Sequence, residues 1–205
     1  MKHRRIVLHM KVVKIFDSFQ GEGYNIGLPA TFLRLGGCNL NCDFCDTNFN
    51  DYKEISVELV KEAVLNHMKN HNTKLLVITG GEPLLQYGEI KKLVNCLNCR
   101  VQIETNGSIF RIPLQDTEYV ISPKNDVEEV FVFYKEYDKS TFKFLIQSQE
   151  DIDLVKQLIY KYDYGKEVYL QPEFGNAEKI VKLILNNRLE NIRVSGQLHK
   201  YLGVE

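Results

Sequence analysis

Short apolar runs alternate along this chain with longer segments whose apolar residues recur every three or four positions. Residues 75–78 are entirely apolar, which is typical of a strand buried on both faces. Residues 57–69 instead show helical spacing, and Ser56 before them is a good N-cap residue. The same criteria predict strands over 11–19, 31–35, 75–78, 101–103, 119–121, 142–146, 168–170 and 192–194. They predict helices over 57–69, 89–97, 150–160 and 176–185.

Strands that alternate with helices favour a parallel sheet with right-handed crossovers. The predicted fold class is α/β: a partial, open TIM-like barrel of about six parallel strands with reduced helices, since eight full units typically need ~250 residues. We expect one domain over residues 1–205, and Met10 offers an alternative start that would make 1–10 an N-terminal extension. Residues 48–54 are interpreted as a polar connection, and 126–139 as an irregular excursion or an interface segment.

Polar or glycine-rich motifs follow most of the predicted strands. They include Thr79 to Pro83, Glu104 to Gly107 and Ser122 to Lys124. In a parallel α/β barrel the site lies at the carboxyl ends of the strands, so we expect these motifs to line one rim.

Charge and apolar content exclude two classes of function. The formal net charge is −1, which gives no electrostatic case for binding nucleic acid. No apolar run approaches the ~20 residues that span a bilayer, so we expect no membrane partner. Five cysteines, an odd number with three on one loop, argue against a secreted disulfide framework and favour the cytoplasm.

The main candidate for chemistry is the loop that carries Cys38, Cys42 and Cys45, with three and then two residues between the cysteines. Three thiolates supply three corners of a four-iron, four-sulfur (4Fe-4S) cluster and leave one iron open to another ligand. The alternatives are a zinc site, which normally takes four protein ligands when structural, or an incidental group of thiols. Cys96 and Cys99 are too few for a second cluster and are interpreted as structural thiols.

Other candidate residues leave two interpretations open. The Gln20 to Gly23 loop is either a plain turn or a place where backbone approaches a ligand closely. Arg34 lies in an apolar strand, where it either forms a structural ion pair or holds an anionic ligand. Thr47, on the same loop as the cysteines, is interpreted from its residue type alone as a loop hydrogen-bond partner.

The cysteine loop resembles the signature of the radical S-adenosylmethionine superfamily. The chain as a whole is similar to one family in it, 7-carboxy-7-deazaguanine synthase. The Thr79 to Pro83 box marks only the superfamily. The family resemblance rests on motifs in the family's order: Gln20-Gly21-Glu22-Gly23, Arg34, the cysteine loop with Phe44-Asp46-Thr47, Glu104 to Gly107, Ser122 to Lys124, Gln171-Pro172 and Gln197 to Tyr201.

This resemblance implies a reaction and its cofactors. The expected enzyme is a carbon–nitrogen lyase with a radical S-adenosylmethionine core, acting on 6-carboxy-5,6,7,8-tetrahydropterin. A 4Fe-4S cluster would cleave S-adenosylmethionine to a 5′-deoxyadenosyl radical. That radical would take hydrogen from C6 of the pterin. Ring contraction with loss of ammonia would then give 7-carboxy-7-deazaguanine for 7-deazapurine and queuosine biosynthesis.

The resemblance also implies residue roles, none of which is a catalytic side chain, because the cluster and S-adenosylmethionine carry the chemistry. Cys38, Cys42 and Cys45 would ligate the cluster, and Thr47 would ligate Mg²⁺. The expected contacts to S-adenosylmethionine are Phe44, Cys45, Asp46, Gly81, Glu82, Ser122, Pro123, Lys124 and Gln171. The expected contacts to the pterin are Phe19, Gln20, Gly21, Glu22, Arg34, Thr79, His199 and Glu205.

The implied partners are an external one-electron donor of the flavodoxin or ferredoxin type and a second copy of the chain in a homodimer. Two other functions share the cysteine loop. One is an activating enzyme that installs a glycyl radical on a partner protein. The other is a non-enzymatic metal-binding module. The activating enzyme gives no reason for Arg34 together with the Gln20 to Gly23 loop. The binding module leaves the open coordination site and the repeated motifs at strand ends unexplained.

Overall fold

The computed structural model describes residues 7–43, 45, 47–173 and 175–204 of the 205-residue chain. The chain divides into two compact units. Within the described residues, the first unit comprises 7–18, 29–104 and 111–117, and the second comprises 19–28, 105–110 and 118–204. None of the helices in this described part is long and apolar enough to cross a bilayer.

The first unit contains five strands and two helices. In chain order the elements are β1 His9–Phe19, β2 Pro29–Leu35, β3 Lys53–Ser56, α1 Val57–His71, β4 Leu75–Gly80, α2 Tyr87–Val94 and β5 Arg100–Thr105. The spatial order of the strands in the sheet is β3-β1-β2-β4-β5. β2, β4 and β5 pair in parallel, whereas β3 runs antiparallel to β1.

The apolar pattern explains these elements. Leu75 to Ile78 of β4 are buried in an unbroken run, as expected for a parallel strand covered on both faces. The Ser56 side chain accepts a hydrogen bond from Leu59 N at 3.4 Å and caps α1, as the sequence predicts. Phe16 stacks on Phe32 with ring centroids 5.0 Å apart, which joins β1 to β2.

The second unit contains four strands and four helices. In chain order the elements are β6 Thr117–Ile121, α3 Val127–Tyr134, β7 Ser140–Ile146, α4 Gln149–Lys161, β8 Val168–Pro172, α5 Ala177–Asn186, β9 Ile192–Val194 and α6 Leu198–Leu202. The strands lie in the order β6-β7-β8-β9, and each neighbouring pair is parallel.

The α/β fold with parallel strands and connecting helices is confirmed, and the described strands do not close into a barrel within either unit. Parallel pairing links seven described strands, close to the predicted six. In both units the glycine-rich or polar motifs lie at the carboxyl ends of strands. β4 ends at Gly80, Ser122 comes directly after β6, and β8 ends with Gln171–Pro172.

Two segments differ from the prediction. The polar connection predicted over 48–54 ends in a strand, because Lys53 and Glu54 begin β3, which is stabilised by antiparallel pairing with β1. Residues 126–139 were interpreted as an irregular excursion or an interface segment, and the helix α3 within them contradicts the first of these interpretations. Val130 to Tyr134 are all apolar or aromatic, so the sequence shows no polar face. In the structure Phe131 is buried against Phe142, with ring centroids 4.6 Å apart, so this side of α3 faces the core.

Candidate functional site

The cysteine loop begins directly behind β2, and backbone hydrogen bonds tie it to the end of β4. Gly81 N donates to Leu35 O at 3.2 Å, and Glu82 N donates to Gly37 O at 2.9 Å. Gly37 N in turn donates to Phe49 O at 2.9 Å, on the far side of the loop. Both ends of the loop are therefore held, and the three cysteines lie between them.

Glycine is required where the end of β4 meets the loop. Gly80 has φ +142°, and a Cβ there would lie 2.1 Å from Leu35 O. A Cβ on Gly81 would lie 2.1 Å from Gly37 O and 2.8 Å from Cys38 Cβ. The two glycines therefore allow the end of β4 to pack directly on the backbone around the first cysteine. A larger residue at either position would push the two segments apart.

Gln86 also holds the loop, although sequence reasoning did not identify it. Its amide nitrogen donates to Lys11 O and to Gly36 O, both at 3.2 Å, and its Oε1 accepts from Lys11 N at 2.7 Å. This side chain joins β1 to the first residue of the loop. The adjacent Gly36 packs so closely on Tyr52 that a Cβ would lie 2.5 Å from its ring.

The three thiols of the loop are free of disulfides. Cys38 and Cys42 are half-buried, and Cys45 is exposed. Burial raises the pKa of the Cys38 thiol, and the charges of Glu82, Cys42 and Cys45 raise this pKa further. Leu40 N donates to Cys38 Sγ at 3.4 Å and favours its thiolate form. The three sulfur atoms do not lie within 4.8 Å of one another in the described structure. The loop that carries them is anchored at both ends, and three thiols on one short loop suit a cluster that takes three protein ligands.

Glu82 is fully buried and caps a short 3-10 helix, Pro83–Gln86. Its Oε1 accepts a hydrogen bond from Leu84 N at 2.8 Å. Its backbone N–H donates to Gly37 O of the cysteine loop. Glu82 therefore supports the cysteine loop through its backbone and the start of the helix through its side chain.

Arg34 and Thr79 occupy paired positions on the parallel strands β2 and β4. Paired residues of a parallel ladder project to the same face, so these two side chains are neighbours. The Arg34 guanidinium lies 5.0 Å from the centroid of the Phe16 ring. Thr47, further along the loop, is half-buried, and its carbonyl oxygen accepts from Cys45 Sγ at 3.8 Å.

The second unit contains a buried charged cluster centred on Glu22. Its Oε2 pairs with the Lys143 ammonium, and its Oε1 accepts from Gln197 Nε2 at 2.8 Å and from Gln171 Nε2 at 3.4 Å. The Glu22 and Lys143 side chains are only 13% and 7% exposed. Burial opposes ionisation, but Lys143 and Gln197 outweigh it and lower the pKa of Glu22 to about 2. Glu22 is therefore an anion at neutral pH.

The C-terminal segment packs on the Gln20 to Gly23 loop. Leu198 N donates to Gly21 O at 2.9 Å. A Cβ on Gly21 would lie 2.1 Å from His199 Nδ1, so only glycine fits there without displacing the histidine ring. Gln20 is buried, and its Oε1 accepts from Glu22 N at 3.2 Å, which closes the turn. The structure thus brings Gln20, Gly21, Glu22 and His199 together.

The remaining predicted residues of this unit lie at or near strand ends. Lys124 Nζ donates to Ser122 Oγ at 2.7 Å, and Pro123 between them is buried. Gln171 Oε1 is a buried acceptor with no hydrogen-bond partner among the described residues. An acceptor left in this way can take a hydrogen bond from a ligand or from a water molecule. Phe19, at the end of β1, is 45% exposed.

Three predicted site residues, Phe44, Asp46 and Glu205, lie outside the described residues, as do residues 1–6 of the expected extension. Two residues that the sequence reasoning did not select, Lys143 and Gln197, contact Glu22 directly. Lys143 is a charged residue within the apolar strand β7, the same signal that identifies Arg34. Gln197 lies in the motif Gln197 to Tyr201 but carried no assigned role.

Comparisons with known proteins agree with one another. Residues 33–171 match the Radical SAM superfamily. A protein from Clostridium acetobutylicum named 7-carboxy-7-deazaguanine synthase is 32% identical, over 95% of this chain and 96% of the relative. A protein of the same name from Rickettsia prowazekii is 36% identical, over 96% of this chain and 89% of the relative.

Solved structures show the same fold. The crystal structure of QueE from Escherichia coli superposes with a TM-score of 0.74 at 22% identity, covering 93% of this chain and 95% of the other. Streptococcus suis SuiB, solved with its precursor peptide SuiA, gives a TM-score of 0.58 at 17% identity. That match covers 81% of this chain and 48% of SuiB. At these identities the likeness concerns the fold alone.

Proposed function

The chain belongs to the 7-carboxy-7-deazaguanine synthase family of the radical S-adenosylmethionine superfamily, and from that premise we propose its reaction. It is a lyase that converts 6-carboxy-5,6,7,8-tetrahydropterin to 7-carboxy-7-deazaguanine with ring contraction and loss of ammonia, in 7-deazapurine biosynthesis. The observation that carries the proposal is the end-to-end likeness to relatives of this one name. No observation favours a glycyl-radical activating enzyme or a simple metal-binding module.

Cys38, Cys42 and Cys45 would hold the 4Fe-4S cluster. Their thiols are free, and the loop that carries them is anchored at both ends. When bound, the cluster and S-adenosylmethionine supply the 5′-deoxyadenosyl radical that the reaction requires. The chain's own task at this loop is to fix three thiolates in place and leave the fourth iron open.

For S-adenosylmethionine we propose contacts from Gly81 and Glu82 in the first unit. Because Gly81 has no side chain, its backbone packs directly on Gly37 and Cys38, which would place it beside a ligand held at the cysteine loop. In the second unit we propose Ser122 to Lys124 and Gln171, whose orphaned Oε1 can accept from an amine or hydroxyl. Phe44, Cys45 and Asp46 complete the proposed set on the strength of the resemblance.

For the pterin we propose that Glu22 accepts hydrogen bonds from the N–H groups of the amidine-like edge. Its low pKa keeps Glu22 an ionised acceptor across the physiological pH range. Lys143 holds its Oε2, and the amides of Gln171 and Gln197 hold its Oε1, so the pterin N–H groups would displace those amides. Gln20, Gly21 and His199 pack around Glu22 and would shape that end of the site. Phe19 and Glu205 are proposed contacts on the resemblance alone.

Arg34 and Thr79 are the proposed pterin contacts of the first unit. A guanidinium can form two parallel hydrogen bonds with a carboxylate, which an ammonium cannot match. Phe16 beneath the guanidinium restricts its orientation and so reduces the entropy lost when it binds. We therefore assign the substrate's 6-carboxylate to Arg34.

The test of the proposed function is a product assay under strict exclusion of oxygen. Protein reconstituted with iron and sulfide is incubated with S-adenosylmethionine, a one-electron reductant and the carboxytetrahydropterin, and the product is identified by mass spectrometry. We expect 7-carboxy-7-deazaguanine. Formation of 5′-deoxyadenosine without the deazaguanine acid would refute the substrate while leaving the superfamily chemistry in place.

Replacement of Arg34 by alanine is expected to weaken pterin binding by about 10- to 100-fold, because a hydrogen bond to a charged group contributes about 1.5–3 kcal/mol. The measurement is the KM for the pterin, with Arg34→Lys as the matched variant that keeps the charge but loses the bidentate contact. Cleavage of S-adenosylmethionine without pterin should be unchanged. Loss of iron from the Arg34→Ala protein would contradict the assigned role.

We further propose Thr47 as a ligand of Mg²⁺, which prefers oxygen donors and keeps several waters when bound. Thr47→Val removes the hydroxyl and nearly preserves the volume, so the stimulation of turnover by Mg²⁺ should fall about tenfold or disappear. Thr47→Ser, which retains the hydroxyl, should keep that stimulation. Equal Mg²⁺ dependence in the valine and wild-type proteins would rule out this ligand.

The proposed partners are a flavodoxin- or ferredoxin-type electron donor in the cytoplasm and a second copy of this chain. Both follow from the resemblance. Sedimentation velocity of the cluster-loaded protein tests the homodimer directly, since a single monomeric species at micromolar concentration would refute it. Replacing chemical reductant with reduced flavodoxin or ferredoxin in the product assay tests the donor.

A further inference from the structure

Asp17, His67 and His71 form a cluster of potential metal ligands in the first unit that plays no part in the proposed reaction. His67 Nδ1 lies 2.5 Å and His71 Nδ1 lies 2.9 Å from the same oxygen, Asp17 Oδ2. All three ligand atoms lie within 4.8 Å of one another. Within the described part of the chain, no other trio of histidine, cysteine or acidic side chains converges in this way.

Secondary structure explains the convergence. His67 and His71 are four residues apart in the final turns of α1, so their side chains share one face of the helix. Asp17 comes from the neighbouring strand β1. The carboxyl end of a helix favours a cation, because its last carbonyl groups carry partial negative charge.

A second layer of hydrogen bonds orients the carboxylate. Thr31 Oγ1 donates to Asp17 Oδ1 at 2.6 Å and also lies 2.6 Å from Thr73 Oγ1. Both threonines are buried. This pair holds one carboxylate oxygen and leaves the other, Oδ2, directed at the two imidazoles. Carboxylates that ligate metals are commonly fixed by such outer contacts.

We propose that Asp17, His67 and His71 bind one divalent transition-metal ion of the Zn²⁺ type. The donors would be one carboxylate oxygen and two imidazole nitrogens, with a fourth position open to water. Two imidazoles suit zinc, cobalt or nickel, whereas magnesium and calcium prefer oxygen donors alone. Tetrahedral zinc would separate these donors by roughly 3.3 Å, so small side-chain movements would open the cluster to admit the ion.

The exposure of these side chains indicates how a metal ion could reach the cluster. The His71 side chain is 59% exposed and the Asp17 side chain only 12%, so an ion could enter from the histidine side and rest on a fixed carboxylate. The bound ion would cross-link β1 to the end of α1. A ligand that binds only the folded state stabilises it, so the thermal midpoint should rise with metal concentration.

The test is equilibrium dialysis of the cluster-loaded protein against Zn²⁺, with zinc, iron and sulfide measured per chain. Cluster loading keeps the loop thiols from binding zinc. We expect about one zinc per chain with iron content unchanged. Loss of a direct ligand in His71→Ala should weaken zinc binding by more than about 100-fold and remove the zinc-dependent rise in thermal midpoint.

His9→Ala is the matched control, because His9 is an exposed histidine of the same unit outside the cluster. It should bind zinc as the wild type does. Since His71 is exposed, its replacement should not prevent folding, and circular dichroism of the metal-free variant verifies this. The proposal is overturned if folded His71→Ala takes up zinc with wild-type affinity, or if the wild type takes up none. In either case the three residues form only a hydrogen-bonded cluster.

Discussion

Cys42→Ala protein is expected to contain almost no iron or sulfide after reconstitution and to form no 5′-deoxyadenosine. A cluster that takes only three protein ligands and keeps its fourth iron open has no spare thiolate, so the loss of one leaves two irons exposed. Iron and sulfide analysis, together with chromatography of the nucleoside products, provides the measurement. This is a complete loss and not a graded one, because the chemistry depends on the bound cluster.

Cys96→Ala is the matched control for this experiment. Cys96 lies between α2 and β5 and is exposed, and no contact joins it to the cysteine loop in the described structure. The control protein should retain wild-type iron content and wild-type nucleoside formation. If Cys96→Ala loses the cluster and Cys42→Ala keeps it, the ligand assignment is wrong.

Lys143→Met is expected to lower the thermal midpoint by roughly 10 °C at neutral pH. Removing one partner of a buried ion pair leaves the other charge uncompensated, which typically costs about 3–5 kcal/mol. Here the remaining charge would be Glu22, whose side chain is 13% exposed. The KM for the pterin should rise as well, since Glu22 would lose its fixed position.

The pH dependence of the stability of Lys143→Met tests whether the uncompensated charge of Glu22 causes the destabilisation. In the wild type the pKa of Glu22 is about 2, below its ordinary value of 4.5, so its contribution to stability is present above pH 4.5 and is lost as pH falls towards 2. Without Lys143, burial dominates and raises that pKa above the ordinary value. The variant should then regain stability as pH falls, and its deficit should be smaller at pH 5.5 than at pH 7.5.

A double variant supplies the control for charge. In Glu22→Gln with Lys143→Met neither charge remains, so the thermal midpoint should recover much of the loss, and its pH dependence should disappear. Equal midpoints for the single and double variants would show that packing of the lysine stem, and not its ammonium, stabilises this cluster.

The alternation of strands and helices was predictable because each βα unit carries its own local pattern. β4 and α1 show this well, one as an unbroken apolar run and the other as a capped periodic segment. β3 was missed because its four residues gain their structure from pairing with β1, about forty residues earlier in the chain. α3 was missed because Val130 to Tyr134 offer no polar position to reveal a period.

The candidate site, like the fold, was predictable from the sequence only where the signal is local. The three cysteines are evident from the sequence because their spacing is local and their chemistry is narrow. The partners of Glu22 are not, because Lys143 and Gln197 lie 121 and 175 residues further along the chain. The Asp17 cluster is likewise invisible until the fold brings β1 against the last turns of α1.

The amide of Gln86 has a practical consequence for loading the protein with iron. Because it joins Gly36 to Lys11 through protein groups alone, the root of the cysteine loop is in place before any metal arrives. Assembly of the inorganic core would then begin on a prepared scaffold. Gentle in vitro maturation of protein purified from aerobic cultures, without denaturant or chaperone, should therefore restore the brown colour of the holoprotein.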